Sequence, residues 1–388
     1  MDMYKTGRAA FARHFGGERA RIYAAPGRTE IGGNHTDHQH GRVLAAAVDL
    51  ETWGFAAPNG RGEIRLYSEG YGSCSVSLSD LVPRPEERGA VQALLRGVAA
   101  GVPGLSGFDL YVTSQVLPGS GLSSSAAFEV LLGIVCADMA GIELTPTAIA
   151  QIGQEAENRY FGKPCGLMDQ MASAWGGLIE MDFQNPAEPT VCRVSFDMNQ
   201  TGYALCILDV KADHASLTDA YAAIPAEMEA VASFFGEEKL RDVSEEAFWA
   251  CVPEIRKRTG DRAVLRAAHF FEENRRAEAE AKALEAGDFA RFLRLVRASG
   301  ESSWLYLQNV VPAGAVKQQS MAMALAICRH VLGEEGACRV HGGGFGGTVQ
   351  AFVPAEQLLA FQKRTEGVFG EGACHVLRVN PTGARRIE

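Results

Sequence analysis

Three short segments of this 388-residue chain contain the residue types that handle phosphate and sugar groups. The first segment runs from Ala25 to Gly41 and carries one arginine, two carboxylates, an asparagine and three histidines among its glycines. Planar donors and acceptors of this kind recognise sugar hydroxyl groups, whereas three histidines with an aspartate could also bind zinc. The sugar interpretation is favoured, because the histidine spacing is not that of a helical zinc site and no cysteine is near.

The second segment is a glycine- and serine-rich stretch, residues 117–127, between a strand-like run and an apolar, helix-like run. Unpaired backbone N–H groups at a helix start, together with the helix dipole, attract anions. The stretch is therefore a candidate phosphate site, although a serine-capped helix after a tight turn would have the same pattern. No Walker A sequence is present, which excludes a standard P-loop NTPase.

The third segment, Pro164 to Ala172, places Asp169 among apolar neighbours. A buried carboxylate is unfavourable unless it is paired, so Asp169 is either a structural cap or a functional group. Glu157 lies on a predicted helix that has Thr145 as its N-cap and Pro146 in its first turn. It is a second candidate, the alternative being an ordinary solvated carboxylate.

A run of five glycines interrupted by Phe345 extends from Gly342 to Gly347. It contains the spacing of a dinucleotide-binding loop, but the residues that follow predict a strand, whereas that loop requires a helix. We therefore reject a Rossmann fold. Glycines allow close backbone approach to a ligand or a facing loop, and a tight hairpin is the alternative.

The order of these segments resembles that of the GHMP kinase superfamily and, most closely, of the galactokinase family. The matching stretches are Ala25 to Asp37, Gly119 to Ala127, Cys165 to Gln170 and Arg339 to Gly347, with further likeness at His214 to Tyr221, Arg266 to His269 and Glu272. The resemblance covers nearly the whole chain. It implies an ATP-dependent sugar kinase that phosphorylates the anomeric hydroxyl of galactose to galactose 1-phosphate, as in Leloir-type galactose metabolism.

The resemblance also implies a role for each candidate residue. Asp169 would face the anomeric hydroxyl as a general base or an electrostatic anchor, and Arg28 would keep it ionised and neutralise the transferring phosphoryl group. Mg²⁺ would be held against the phosphates of ATP by Ser125 and Glu157. The ATP phosphates would be bound by Gly119, Ser120, Gly121, Leu122, Ser123, Ser124 and Ser125. The sugar hydroxyl groups would be bound by Asn34, His35, Asp37, Gly166 and Tyr221.

The first segment departs from the family pattern G-R-x-N-x-I-G-E-H-x-D-Y at four positions, which here are Glu30, Gly32, Asn34 and His38. The family glutamate at the position of Asn34 normally contacts the C6 hydroxyl. Asn34 can still donate and accept, so galactose is expected. Its lack of charge would also suit galacturonate or arabinose, and an N-acetylhexosamine is a further alternative. His341 stands where the family usually has a small hydroxyl residue.

A catalytically silent sugar sensor is a rival from another functional class. Such a protein would be expected to have lost the serine loop or the catalytic pair. Here Arg28, Glu157, Asp169 and the three serines 123–125 are all present, which favours an enzyme.

The composition limits the partners and the compartment. The net charge of −10 and the lack of a basic block argue against nucleic acid and anionic membrane surfaces. Nine cysteines without a C-x-x-C pattern indicate free thiols in a reducing cytoplasm. No signal-peptide core or membrane-length apolar run is visible. We expect sugar and ATP as partners, and a monomer or weak homo-oligomer.

The patterns predict two α+β domains, residues 1–195 and 196–388, divided after a turn-rich stretch. The resemblance implies that the first is ribosomal S5 domain 2-like, that the second is ferredoxin-like, and that the active site lies in the cleft between them.

Overall fold

The computed structural model describes residues 3–17, 19–116, 119, 121–211 and 217–388, with only the backbone of Thr218. Ser120 and His214, both named from the sequence, lie outside the described residues. Two compact units are formed, unit 1 by Met1–Arg28, Ala46–Gly177 and Asn380–Glu388, and unit 2 by Thr29–Ala45 and Leu178–Val379. The sequence predicts one boundary at residue 195, whereas this grouping assigns most of the first segment to the same unit as the C-terminal half.

Strands and helices occur mostly in separate runs along the chain rather than in strict alternation, as expected for an α+β fold. The strands are β1 Arg21–Gly32, β2 Arg42–Pro58, β3 Glu63–Ser68, β4 Gly72–Ser77, β5 Phe108–Ser114, β6 Leu178–Asp182, β7 Thr190–Arg193, β8 Tyr203–Asp209, β9 Ala337–His341, β10 Thr348–Pro354, β11 Cys374–Leu377 and β12 Arg385–Arg386. The helices are α1 Met3–Phe15, α2 Val91–Ala100, α3 Ser124–Ala140, α4 Pro146–Glu155, α5 Met168–Trp175, α6 Thr218–Phe234, α7 Glu245–Ala250, α8 Val252–Thr259, α9 Asp261–Glu285, α10 Phe289–Ser302, α11 Ser320–Leu332 and α12 Leu358–Phe369.

The main sheet of unit 1 has the strand order β12-β1-β2-β5-β3-β4. Strand β5 is central, pairing antiparallel with β2 and parallel with β3. The alternating apolar pattern that predicts β5 is confirmed. Helix α3, which follows β5, is apolar around most of its surface and is largely buried. Because β5 and α3 are buried, they hold the two ends of the serine-rich loop that joins them in fixed positions.

The predicted start of α4 is also confirmed. The Thr145 hydroxyl accepts a hydrogen bond from the backbone N–H of Ala148 at 3.1 Å, and Pro146 occupies the first turn. At its C-terminal end α4 passes into a wider π-helical turn, Ala156–Phe161, which carries Glu157. Such turns insert an extra residue and are frequent at functional sites.

Unit 2 contains an antiparallel sheet of strand order β11-β8-β10-β9. The glycine run joins β9 to β10, with His341 opposite Thr348 at the start of the pairing. The strand predicted after this run is therefore confirmed. Because a Rossmann loop requires a helix there, the rejection of a Rossmann fold is confirmed as well. Gly342 and Gly344 have positive φ angles of 66° and 86°, which a glycine adopts without strain.

All nine cysteines are free thiols, in agreement with the sequence interpretation. Of the helices in the described ranges, none combines the length and the apolar character needed to cross a membrane.

Candidate active site

Unit 1 contains a two-pronged ion pair between Arg28 and Asp169, which are 141 positions apart in the chain. Arg28 Nε and Nη2 donate to the two carboxylate oxygens of Asp169, each at 2.6 Å. The Ser123 hydroxyl donates to Asp169 Oδ2 at 2.7 Å. Arg28 is itself held by the loop before α3, since Nη1 donates to the carbonyl of Gly121 and its backbone N–H donates to that of Leu122.

These contacts decide the charge of Asp169. Burial alone would raise the pKa of this carboxyl group. The Arg28 guanidinium, the Ser123 hydroxyl and the charge of Lys163 outweigh burial and hold the pKa of Asp169 below its ordinary value. Asp169 is therefore ionised at neutral pH, as the sequence predicts, and its electron pairs are engaged by strong donors. This geometry makes it a strong anchor and a weak base.

The helix α3 begins directly beside this pair. Its N-cap, Ser123, has a left-handed φ of 56°, and the first helical hydrogen bond runs from Ala127 N–H to the Ser123 carbonyl. Helix geometry leaves the N–H groups of the first turn without intrahelical partners. Ser124 and Ser125 therefore present backbone donors and hydroxyl groups at the positive end of the helix dipole.

A second carboxylate, Glu157, lies on the far side of this helix start. The Ser125 hydroxyl donates to Glu157 Oε1 at 3.4 Å, and Lys163 Nζ lies 3.0 Å from the same oxygen. Gln170 Nε2 donates to Glu157 Oε2 at 3.1 Å and to a third carboxyl group, that of Glu129, at 2.9 Å. Burial and the charge of Glu157 raise the pKa of Glu129 to about 8, so Glu129 is mostly protonated at neutral pH.

The Ser125 and Glu157 side chains fit the chemistry of magnesium. Mg²⁺ prefers oxygen ligands and is usually held by one or two protein groups together with substrate phosphates and water. A hydroxyl and a carboxylate that converge at 3.4 Å supply such a set. In the described ranges no group of three or more histidine, cysteine or acidic residues could hold a metal, so the zinc alternative gains no support.

A cavity of about 640 Å³ opens next to the start of α3 in unit 1. Ser124 and Ser125 line one end of it, and the aromatic rings of Phe128, Phe161 and Tyr71 are among its walls. Mixed apolar walls beside an anion-binding helix start are suited to a base and ribose whose phosphates lie at the helix. The sequence alone does not identify these wall residues.

In unit 2, Asn34 lies among protein partners rather than at a surface. It is 1% exposed, and its amide nitrogen donates to Glu30 Oε1 at 3.0 Å and to the Gly342 carbonyl at 2.7 Å. Its amide oxygen accepts from Asn309 Nδ2 at 3.0 Å. Three of the hydrogen-bonding positions of the amide are thus used within the protein. This arrangement differs from the direct sugar contact expected from the sequence, because the buried amide ties the first segment to the glycine run.

The neighbouring residue His35 is half-buried and has a left-handed φ of 58°. Its Nε2 lies 3.1 Å from the Gly343 carbonyl and its Nδ1 lies 3.2 Å from Nε2 of His38. Burial of the ring lowers the pKa of His35 to about 4, and burial also lowers that of His38. Both rings are therefore neutral at physiological pH and can serve as neutral donors and acceptors.

The other three predicted sugar-binding residues are partly exposed. Asp37 accepts a hydrogen bond from the backbone N–H of His38 at 2.8 Å. Tyr221 donates through its hydroxyl to the Gly344 carbonyl at 3.0 Å, and its ring packs edge-on against Phe345. Gly166 belongs to unit 1, three residues before Asp169. Three of the predicted sugar-binding residues in unit 2, Asn34, His35 and Tyr221, thus contact backbone carbonyls of the glycine run, and Asp37 contacts His38.

Family models match two parts of the chain. Residues 88–177 match the GHMP kinases N terminal domain, and residues 9–58 match the galactokinase galactose-binding signature. A galactokinase of Glaesserella parasuis serovar 5 is 31% identical over 364 residues, which is 91% of this chain and 90% of that protein. The chain belongs to the galactokinase family. A galactokinase of Actinobacillus pleuropneumoniae is likewise 31% identical, over 90% of this chain and 89% of its own.

Solved structures agree with this family. The structure of Lactococcus lactis galactokinase complexed with galactose has a TM-score of 0.84 and 25% identity, covering 99% of each chain. A mevalonate kinase structure, with a TM-score of 0.65 and 16% identity over 93% of this chain and 99% of its own, shares the fold alone. The predicted GHMP kinase fold and the prediction of a sugar kinase are both confirmed.

Three of the departures from the galactokinase pattern, Glu30, Asn34 and His341, contact one another in a buried network of unit 2. Glu30 forms an ion pair with Arg339 at 2.8 Å, and both side chains are almost fully buried. The Glu30 backbone N–H donates to His341 Nε2 at 3.2 Å. A methyl group added at Gly32 would lie 1.7 Å from a carboxylate oxygen of Glu280, so a larger residue at position 32 requires Glu280 to move. Glycine at position 32 therefore leaves room for the Glu280 side chain.

Sequence reasoning missed three members of the unit 1 site. Gln170 stands in the quoted motif next to Asp169, and its spacing could have suggested a role beside the carboxylates. Lys163 and Glu129 carry no comparable signal. Their positions beside Glu157 depend on the π-helical turn and on the packing of α3 against α5, which the sequence pattern does not specify.

Proposed function

We propose that this protein transfers the γ-phosphoryl group of ATP to the anomeric hydroxyl of galactose and releases galactose 1-phosphate and ADP. The observation that carries the proposal is the Arg28–Asp169 ion pair, with Ser123 as its third member, beside the start of α3. It occurs in a chain that belongs to the galactokinase family, whose members use ATP.

Asp169 is proposed to orient the anomeric hydroxyl and to stabilise the positive charge that develops on its oxygen as that oxygen bonds to phosphorus. Asp169 accepts the proton only once this bond has formed. Its lowered pKa favours this role over full proton abstraction, because a weak base drives little proton transfer in the ground state. Arg28 keeps Asp169 ionised and lies where it can neutralise the transferring phosphoryl group. Phosphoryl transfer passes through a loose transition state, so positioning and charge neutralisation provide most of the rate enhancement.

The phosphates are proposed to bind at the start of α3, through backbone N–H groups of the loop and the hydroxyl groups of Ser124 and Ser125. Ser125 and Glu157 would hold Mg²⁺, which supplies positive charge to the β- and γ-phosphates when it is bound. The base and ribose would occupy the cavity beside Phe128 and Phe161.

The sugar is proposed to be recognised by His35, Asp37 and Tyr221. Asn34 is proposed to position this set rather than to bind the sugar, because its amide is engaged by Glu30, Gly342 and Asn309. Neutral rings at His35 and His38 suit hydroxyl recognition, since they both donate and accept.

The test is ADP release by the purified protein with Mg²⁺-ATP and a panel of galactose, galacturonate, arabinose, glucose, mannose and N-acetylgalactosamine. We expect turnover with galactose, and its loss in Asp169→Asn, which keeps the shape and removes the charge. Turnover confined to galacturonate or arabinose would show that this sugar, and not galactose, is the substrate. Sugar-dependent ATP binding without turnover of any sugar would overturn the kinase proposal in favour of a sensor.

A further inference from the structure

Lys163 is a cation at the candidate metal site for which the sugar kinase reaction described above has no role. Its Nζ lies 3.0 Å from Glu157 Oε1, the oxygen that the Ser125 hydroxyl approaches at 3.4 Å. The ammonium group and the proposed metal ligands therefore converge on one atom. A carboxylate oxygen that is engaged by an ammonium group is less available to a metal cation, so the two cations compete for it.

The backbone holds Lys163 in this position. The N–H groups of Gly162 and Lys163 both donate to the Glu157 carbonyl, at 2.9 and 3.1 Å, and so close the π-helical turn. Gly162 has a φ of 86°, which permits the reversal, and Pro164 follows. This turn returns the chain to Glu157, so the Lys163 side chain starts next to the carboxylate that it pairs with.

The side chain itself is free to leave. Lys163 is 63% exposed, whereas Glu157 is 4% exposed. Water and salt screen the exposed ammonium end of this pair, and the long side chain loses entropy when it is held in place. An ammonium group has three donors, and the described residues assign one of them to Glu157. Lys163 can therefore exchange its partner at small free-energy expense.

The charges at the site favour such an exchange. Arg28 is fixed by Asp169 and the Gly121 carbonyl, whereas the Lys163 ammonium group faces solvent and contacts Glu157 alone among the described residues. A polyphosphate brought to the start of α3 adds several negative charges next to this movable cation.

We propose that Lys163 is an exchangeable counter-ion, which pairs with Glu157 in the nucleotide-free protein and donates to the nucleotide phosphates once a metal cation occupies Glu157. Lys163 is then a nucleotide-binding residue of the reaction. The inference rests on the proposed function for the identity of the nucleotide, and its test uses binding rather than turnover.

The test compares Lys163→Met, which keeps the aliphatic stem, with wild-type protein in two binding experiments. The first measures Mn²⁺ bound to nucleotide-free protein by electron paramagnetic resonance. We expect Lys163→Met to bind Mn²⁺ about 2–5-fold more tightly, because the solvent-exposed ammonium group that competes for Glu157 is removed. The second measures ATP binding by calorimetry with Mg²⁺ present and sugar absent. We expect about 10-fold or greater weakening, because a charge-assisted hydrogen bond is lost.

Opposite shifts of the two affinities distinguish this role from a structural one. Lys163→Arg, which keeps the charge, should remain close to wild type in both experiments and shows whether position 163 tolerates substitution. Lys257→Met, on the exposed face of α8, makes the same change in net charge elsewhere and should alter neither affinity. Shifts in the same direction, or no shift beyond the Lys257→Met control, would overturn the proposal.

Turnover separates this inference from the proposed function. Sugar phosphorylation with unchanged binding in Lys163→Met would overturn the counter-ion role and leave the kinase proposal intact. If Lys163→Met shifts the Mn²⁺ and ATP affinities in opposite directions but the wild-type protein phosphorylates no sugar, the counter-ion role is supported and the kinase proposal is overturned.

Discussion

One carboxylate oxygen of Glu30 accepts hydrogen bonds from both Asn34, at 3.0 Å, and Arg339, at 2.8 Å. The galactokinase pattern has asparagine at the position of Glu30 and glutamate at that of Asn34, so the two residue types are exchanged in this chain. The carboxylate is thereby moved four positions along the chain and is neutralised by a buried arginine. The charge expected at position 34 is relocated rather than lost.

Breaking this ion pair should destabilise the protein. Glu30→Gln keeps the shape and the acceptor for Asn34 but removes the carboxylate charge that pairs directly with the buried Arg339. We expect the free energy of unfolding to fall by about 3–5 kcal/mol, measured by urea denaturation. Glu237→Gln, at an exposed position, should change it by less than about 0.5 kcal/mol. Equal stability of the Glu30→Gln and wild-type proteins would show that Arg339 is compensated by other groups.

Asn34→Ala should test whether residue 34 reads the C6 position of the sugar. Because the amide is buried and bound to protein, we expect galactose and 6-deoxygalactose to lose kcat/KM together, with their ratio within about 3-fold of wild type. A site that hydrogen-bonds a hydroxyl rejects the analogue lacking it by about 10⁴-fold. A change of the ratio beyond about 10-fold on substitution would therefore contradict the positioning role of Asn34.

The Ser123 hydroxyl should set the acid limb of the pH profile. It helps to hold the pKa of Asp169 below its ordinary value, so activity that requires the ionised carboxylate should persist as pH falls towards that lowered pKa. Ser123→Ala removes a donor to the charged form, which raises the pKa of Asp169 and moves the acid limb of kcat/KM to higher pH. Unfolding measured at each pH separates this shift from acid denaturation, and an unmoved limb would contradict it.

Glu129 should make the metal-free protein less stable as pH rises. Its folded-state pKa of about 8 lies above the value of about 4.3 in an unfolded chain. Its contribution is therefore fully present below the unfolded pKa and is lost as pH rises through about 8. In the wild-type protein the free energy of unfolding should fall between pH 5 and 8. In Glu129→Gln this fall should be smaller, by on the order of a few kcal/mol.

Glu143→Gln, at an exposed position before α4, is the matched control for this comparison and should leave the pH dependence unchanged. A Glu129→Gln protein with the wild-type slope would show that Glu129 is ionised across this range.

The structural elements that the sequence predicts best are those set by neighbouring residues. The Thr145 cap and Pro146 define the start of α4 within a few positions, and the alternating pattern of β5 specifies a strand by itself. The strand after Gly347 follows from its run of β-forming residues. Each of these depends on local backbone preference, which the chain carries independently of its partners.

The sequence does not predict the hydrogen-bond partners of the buried polar groups. Asn34 has suitable chemistry for a sugar ligand, yet the structure engages its amide with Glu30, Gly342 and Asn309. Lys163 has no signal in the sequence, because its pairing with Glu157 follows from a π-helical turn. The Thr29–Ala45 segment groups with unit 2 although it precedes most of unit 1 in the chain.

The sequence by itself therefore determined the family, through the resemblance of its ordered motifs, and that resemblance implied that Arg28 lies next to Asp169. Only the tertiary structure decided which groups are buried, which hydrogen bonds they make and which carboxyl groups are ionised. Those properties depend on side chains brought together from far apart, such as Glu30 and Arg339 at a separation of 309 positions. Burial and pairing at such distances set the pKa values and the available donors.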